Sequence, residues 1–389
     1  MKKPFIILAC LAVLAAALTL AASGGASSET PCGAVSFITG KATVTHKGKV
    51  TELDIDSPIY NNDMIKTQDK SKVEIEVDKS TGFSGKVTVA AKTVFYFKTS
   101  EVKGQANTTL DLMSGQIGMK VSKLAGAPSA QVRTDSAVCG VRGTEFAVTS
   151  APSGDVLVTC DEGLVGLLGV DGDEAEAGPG KALQRKLGQR FQEMPVAVSS
   201  LEEFREKWYA DQIQALRANP VKAIRQFSEF YQRKKADFIS SSSLLEKSLV
   251  LKRWMEEDAT PGFKPDPKAA QTLRDLKEMD GPILAIRKDL VMFERYYYRL
   301  EELKDIVKDT QHWNAELGKD SKGNPVTVQA FYKVFDAERD SLARRMALCR
   351  YAELLHAKRN PSGSTGRPST TGDDGDFFGD EADDSFFDD

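Results

Sequence analysis

Between Gly169 and Ser199 the apolar residues of this 389-residue chain change their spacing. Upstream, from Gly33 to about residue 170, Val, Ile, Thr and Phe crowd into "KATVTHKG", "KVEIEVD", "KVTVAAKTVFYFKT", "TTLDLMSGQIGMKVS", "TEFAVTS" and "DVLVTC". Several of these alternate apolar with polar, the period of a half-buried strand. Turn residues in "YNNDM" and "APSGD" punctuate them, as tight connections require. Many short strands at such intervals build a sandwich, a barrel or a solenoid. Downstream, from 199 to 360, apolar stripes recur at helical spacing between charged faces. Ser200 with Glu203 three positions on reads as a capping box, and Pro220 stops the pattern that follows. One layer type cannot satisfy both periods. The expected fold is therefore a multidomain β + α chain. It has a β-rich domain at 33–170, a linker at 171–198 containing "GVDGDEAEAGPGKALQ", and an all-α bundle of four to six helices at 199–360. Such halves are expected to be separable.

The two ends differ from both halves. Lys2 and Lys3 precede an apolar run from Phe5 to Ala22, and small residues follow. This pattern reads as a secretory signal peptide over 1–28. A retained anchor is the alternative, because the run nearly reaches spanning length. Lipidation is disfavoured: cleavage at Cys10 would strand Leu11–Ala22, and Cys32 follows Pro31. Residues 361–389 form a Pro/Ser/Thr/Gly stretch and then an acidic one. The last eighteen residues hold nine Asp or Glu and no Lys or Arg. Such a tail is expected to be disordered. Phe377, Phe378, Phe386 and Phe387 stand in it as two pairs nine residues apart, candidate anchors for docking. Without those nine acids the chain carries 47 acidic against 52 basic residues. So diffuse an excess argues against nucleic acid as a partner.

Few residues have the spacing that chemistry requires. The three histidines, His46, His312 and His356, show no metal-ligand spacing and no neighbouring nucleophile motif; they read as surface or packed residues, the last two on amphipathic helices. "GPGKALQ" lacks the rest of a phosphate loop. The run Tyr296–Tyr297–Tyr298 between Arg295 and Arg299 reads as core and interface packing, since a helix turns three consecutive residues to different faces. Asp161–Glu162 and Glu256–Glu257–Asp258 read as solvated acids. Four cysteines remain after the signal segment: Cys32, Cys139, Cys160 and Cys349. In an oxidising compartment Cys139 and Cys160 are the first candidates for a disulfide, with buried free thiols the alternative. No catalytic residue, metal or cofactor is expected.

Arg142–Gly143–Thr144 interrupts two strand patterns. Gly suits a corner, and Arg can tie down carbonyls or a carboxylate there, so a structural corner is expected. Here the chain resembles the FecR domain family. "VRTDSAVCGVRGTEFAV" resembles its strand, Arg-Gly-Thr corner and strand. "YNNDMIKTQDKSKVEIEVD" resembles its Gly-Asp-x-Ile-x-Thr turn, with Asp63, Ile65 and Thr67 in place and Asn62 where the family usually has Gly. "LDLMSGQIGMKV", with Gly115, resembles its Leu-x-x-Gly-x-Val strand. "DEGLVGLL", with Glu162 and Gly163, resembles its Glu-Gly-x-Val ending. The resemblance covers about 33 to 170. It implies a β-rich, solenoid-like or rolled domain outside the cytoplasm. In the regulators that named the family, that domain senses an outer-membrane transporter and signals to a cytoplasmic sigma factor. No region before the apolar segment could hold a sigma factor, so that role is not carried over.

The function expected from these readings is a non-catalytic periplasmic or cell-envelope protein, binding a partner protein or an envelope polymer. The alternatives are a sensory regulator acting through a separate membrane protein, and a glycan hydrolase with a catalytic helical domain.

Overall fold

The computed structural model describes residues 29–102, 105–122, 129–141, 144–196, 200–319 and 322–360. The signal segment at 1–28, the Arg142–Gly143 step and the tail from 361 lie outside the described residues.

Among the described residues seventeen strands precede the α-helices, in two facing sheets. One sheet runs β4 (Pro58–Ile59), β1 (Gly33–Thr39), β6 (Lys72–Val77), β7 (Gly85–Val89), β9 (Gln105–Val121), β12 (Glu145–Ser150), β13 (Val156–Glu162), β16 (Lys181–Arg185) and β17 (Phe191–Met194). The other runs β3 (Lys49–Glu52), β2 (Ala42–His46), β5 (Asp63–Thr67), β8 (Val94–Val102), β9 again, β10 (Ser129–Arg133), β11 (Ala137–Val141), β14 (Val165–Gly169) and β15 (Glu174–Ala177). All these pairings are antiparallel except β9–β10.

Strand β9 belongs to both sheets. Up to Ser114 it pairs with β8, and from Gly115 it pairs with β12 and then β7. Gly115 is the corner, at φ +91°. A Cβ there would lie 2.4 Å from Thr93 Oγ1 and 2.6 Å from Thr93 Cα. Only glycine turns the strand from one sheet into the other at this spot.

Between the sheets lies an apolar core that includes Val35, Ile65, Ile75, Phe95, Phe97, Leu110, Ile117, Phe146 and Val158. Period-two alternation puts the remaining residues of β8 and β9 on the outer face. There Val94, Tyr96 and Met113 join the apolar cluster of the helices. The two halves therefore share a core, because the outward face of this sheet is itself half apolar and has to be covered.

The helices are α1 (Leu201–Ala218), α2 (Val221–Lys247), α3 (Leu249–Ala259), α4 (Ala270–Val307) and α5 (Val328–Arg359), with a hairpin, β18 (Glu316–Lys319) and β19 (Pro325–Thr327), before α5. Ser200 Oγ accepts from Glu203 N at 3.1 Å, capping α1. Trp208 of α1 packs on Ala151, Leu157 and Ala182 of the first sheet and donates to Gln184 at 3.1 Å. Helix α4 continues through Pro282. Its Met279, Ile283, Ile286, Leu290 and Phe293 keep one buried face on both sides of the proline, and that packing outweighs one lost backbone bond.

Three expectations are corrected. The expected linker at 171–198 contains β15, β16 and β17: its acids alternate outward while Ala177, Ala182 and Leu183 enter the apolar clusters. Cys139 and Cys160 are buried free thiols. They sit on β11 and β13, in different sheets, where each packs in the core. His312 lies in a short 3-10 turn, Gln311–Asn314, and not on a long helix.

Candidate binding cleft between the sheet and the last helix

The β2–β3 hairpin turns through Lys47 and Gly48, both at positive φ (50° and 78°), with His46 opposite Lys49. This is the two-residue turn whose twist suits adjacent strands. Lysine is an unusual first residue for it. Its side chain supplies the reason: Lys47 Nζ lies 2.8 Å from Asp258 Oδ2 and 2.9 Å from Glu29 Oε2. Lys358, at the end of α5, meets the same Asp258 at 2.9 Å and Glu29 at 3.3 Å. Tyr351 donates to Asp258 at 2.9 Å. The hairpin tip is thereby fastened to the ends of α3 and α5. Burial would raise the Asp258 carboxyl, but bonds from Lys47, Lys358 and Tyr351 outweigh it and hold the pKa at about 2. Burial would likewise lower Lys47, yet its bonds to Asp258 and Glu29 hold it above the ordinary lysine range.

Beneath the hairpin, β8 meets α4 and α5 in a buried polar knot. Tyr96 donates to Glu294 Oε1 at 2.7 Å. The Arg350 guanidinium bonds both oxygens of Glu294 and lies 4.4 Å from the centre of the Tyr96 ring. Tyr96, Glu294 and Arg350 are all buried, so their polar groups need one another; Arg350 also donates to Glu353 at 3.2 Å. A second knot holds α4 to the strand end after β12. Arg299 bonds the Ala151 carbonyl, Asp135 Oδ2 at 2.9 Å and Ser150 Oγ at 3.0 Å.

Between hairpin and α5 remains a cleft of ≈ 140 Å³. Thr45, Lys47, Gly48, Val50, Asn61, Asn62 and Met64 form its sheet side; Tyr96, Tyr298 and Arg350 line its inner end; Ala343, Arg344, Ala347, Tyr351 and Leu354 form its helix side. The lining is apolar and aromatic with three cations and no carboxylate. Its helix wall is low because Ala343 and Ala347 stand one turn apart on α5. Behind the hairpin a second cleft of ≈ 210 Å³ is lined by His46, Thr51, Glu52, Tyr60 and Asp63, among others.

The family-motif residues stand at turns and corners around these walls. Asp63 is buried and accepts from Tyr60 N at 2.8 Å and from His46 Nδ1 at 2.6 Å. Burial raises its pKa despite both bonds. Asn62 takes φ 65°, the conformation that makes glycine common there and that asparagine tolerates. Ile65 is core. Thr67 Oγ1 donates to Ala90 O at 2.6 Å and accepts from Thr93 N at 2.9 Å. Thr144 is buried, and its carbonyl accepts from Val121 N at 2.8 Å. Glu162 and Gly163 make the turn after β13, Gly163 at φ 82°, and both carbonyls accept from the Cys160 thiol. Of this set Asn62 lines the first cleft and Asp63 the second.

The other candidates are mostly structural partners. Tyr297, Tyr298, Arg295 and Arg299 are buried at the seam. His356 is buried against Asp280 at 3.0 Å, and burial lowers its pKa. Asp161 pairs with Arg205 at 3.3 Å and Glu257 with Arg359 at 2.6 Å. No group of three or more metal-ligating side chains occurs among the described residues. No described helix is long and apolar enough to cross a membrane. Sequence reasoning missed Lys47, Tyr96 and Arg350, and it read Asp258 as a solvated acid, whereas the fold pairs it with Lys47 and Lys358. Only Lys47 left a signal, as the charged half of a Lys-Gly turn between strand patterns.

Comparison with known proteins bears on the sheets. No curated protein matches the chain. Two crystal structures from Parabacteroides distasonis ATCC 8503, each described as a candidate anti-sigma factor, are similar to part of it. One shares 13% identity at TM-score 0.30, over 36% of this chain and 64% of that one. The other shares 17% at TM-score 0.24, over 32% and 59%. This chain thus spans less than two thirds of either. Residues 63–166, from the Asp63 turn to the start of β14, match the family described as FecR protein, and this chain carries a FecR-family domain there.

Proposed function

We propose that this chain is a non-catalytic binding protein of the cell envelope, and that the cleft between the β2–β3 hairpin and α5 receives a segment of a partner protein. The observation that carries the reading is the lining: apolar and aromatic walls with Lys47, Arg344 and Arg350 and no carboxylate. At ≈ 140 Å³ the cleft suits an inserted side chain better than a whole small molecule, whose sites run to roughly 300–1,000 Å³. An acidic or polar segment with an apolar anchor has the matching chemistry. The acid pairs that would serve a hydrolase are tied up in ion pairs with Arg205, Arg359, Lys47 and Lys358, which supports binding over catalysis. The envelope location rests on the apolar N-terminal segment and on the FecR domain.

A sensory, regulatory role is the second reading. The FecR domain favours it, and so does the Glu29–Lys47–Asp258–Lys358 cluster, which joins a hairpin at the cleft to two helix ends. A change at the cleft would be felt on both sides of the seam.

A photo-cross-linking residue at Val50, which is 62% exposed at the cleft rim, tests the reading in intact envelope. An adduct with a second protein is expected, and Ala347→Trp, which fills the cleft, should abolish it. An adduct that survives Ala347→Trp would locate binding elsewhere. An adduct with an integral membrane protein would favour the sensory reading.

A further inference from the structure

The cleft has an unmet need. Lys47 and Arg350 already pair with carboxylates outside the lining. Arg344 is exposed on α5, and no carboxylate pairs with it among the described residues. On the sheet side of the same cleft Val50 stays 62% exposed. An occupant that satisfies both would bring acid and an apolar anchor together.

This chain carries such a segment. Residues 372–389, "GDDGDFFGDEADDSFFDD", hold nine acids, no base and two Phe pairs. The described chain also ends near the cleft. Leu354 stands five residues before the end of α5 at Arg359, which is about 8 Å along a helix. Phe377 lies 17 positions beyond Asn360, and the intervening "PSGSTGRPSTTG" has linker composition. A random coil of that length spans roughly 20–25 Å root-mean-square, enough to reach back along α5 to Leu354, Tyr351 and Ala347. At such a match of span and reach, the effective concentration is of the order of millimolar.

We propose that residues 372–389 dock in the cleft of their own chain. One Phe pair would sit between Val50 and Tyr351–Leu354, and a flanking acid would meet Arg344. The inference rests on the reading of the cleft as a binding surface and adds its resident occupant. Any external partner would then compete with the tail.

The test uses purified full-length protein and a labelled peptide of residues 372–389. The parent is compared with a full chain carrying Phe377→Ser, Phe378→Ser, Phe386→Ser and Phe387→Ser, whose charge is unchanged. The Ser variant is expected to bind the peptide at least tenfold tighter than the parent, whose own tail blocks the site. Adding Arg344→Glu to the Ser variant should weaken binding about three- to tenfold, and 0.5 M salt should weaken it too, since exposed charges are screened. Equal binding by parent and Ser variant, binding by neither, or indifference to Arg344→Glu would each overturn the proposal. The assay contains no partner, so these failures leave the Val50 cross-linking result to decide the partner reading separately.

Discussion

Tyr96 of β8 donates its hydroxyl to Glu294 of α4 at 2.7 Å, joining residues 198 positions apart. With Arg350 stacked on the tyrosine ring, this bond is the polar centre of the seam between sheet and helices. Tyr96→Phe removes one donor to a buried carboxylate and should cost about 1–2 kcal/mol. Arg350→Met leaves Glu294 buried without its cation and should cost roughly 3–5 kcal/mol. Urea denaturation of both variants measures this. A Tyr96→Phe protein as stable as the parent would mean that the seam does not depend on the bond.

Gly115 turns β9 between sheets against Thr93. Gly115→Ala meets both a positive φ and a contact far inside van der Waals distance. A loss of at least about 2 kcal/mol is expected. Gly172, also at positive φ but with open space around it, is the control: Gly172→Ala should cost about 1 kcal/mol, from φ alone. Equal losses at the two sites would remove the steric part of the argument.

Glu302 of α4 accepts from Tyr209 at 2.8 Å, while its other oxygen has no hydrogen-bond partner. Burial lifts its pKa to about 7, against the pull of Arg299 and the Tyr209 hydroxyl. The unfolded carboxyl titrates near 4.5. Between these values the folded chain holds a proton that the unfolded chain has released. The stabilisation is therefore full below pH 4.5 and is lost as pH rises through 7. Glu302→Gln keeps an acceptor for Tyr209 and cannot ionise. It should be roughly 1–3 kcal/mol more stable than the parent at pH 8 and about level with it at pH 4.5. A variant less stable than the parent at pH 8 would show that the charged form is the favoured one.

Much of the β half was legible because its information is local. Alternation gave the strands, and Asn62 in place of glycine marked a turn that does take positive φ. The segment at 171–198 misled because β15 is short and exposes one side, so Glu174 and Glu176 fill half its positions and hide Ala177, while Lys181, Gln184 and Arg185 fill most of β16 and hide Ala182 and Leu183. The seam was not legible. Tyr96, Glu294 and Arg350 look like ordinary residues of amphipathic elements. Only the fold brings a strand tyrosine under a helix glutamate, and only then does their burial make sense. The same holds for Lys47 and Asp258, whose pairing explains a lysine at positive φ.

The two sheets and the helices form one cooperative unit with the cleft at its seam, although the change of sequence period suggests two separable halves. Equilibrium urea unfolding read by two probes tests it most directly. Of the chain's three tryptophans, Trp254 and Trp313 pack among the helices while Trp208 lies against the first sheet, so the fluorescence of a Trp208→Phe protein reports the helices. Pulsed hydrogen exchange on β8 and β13 reports the sheets. A shared core containing Val94, Tyr96 and Met113 beside Phe293 and Tyr297 predicts one midpoint for both probes. Two separated midpoints, with the sheets protected after the tryptophan signal is lost, would contradict the account.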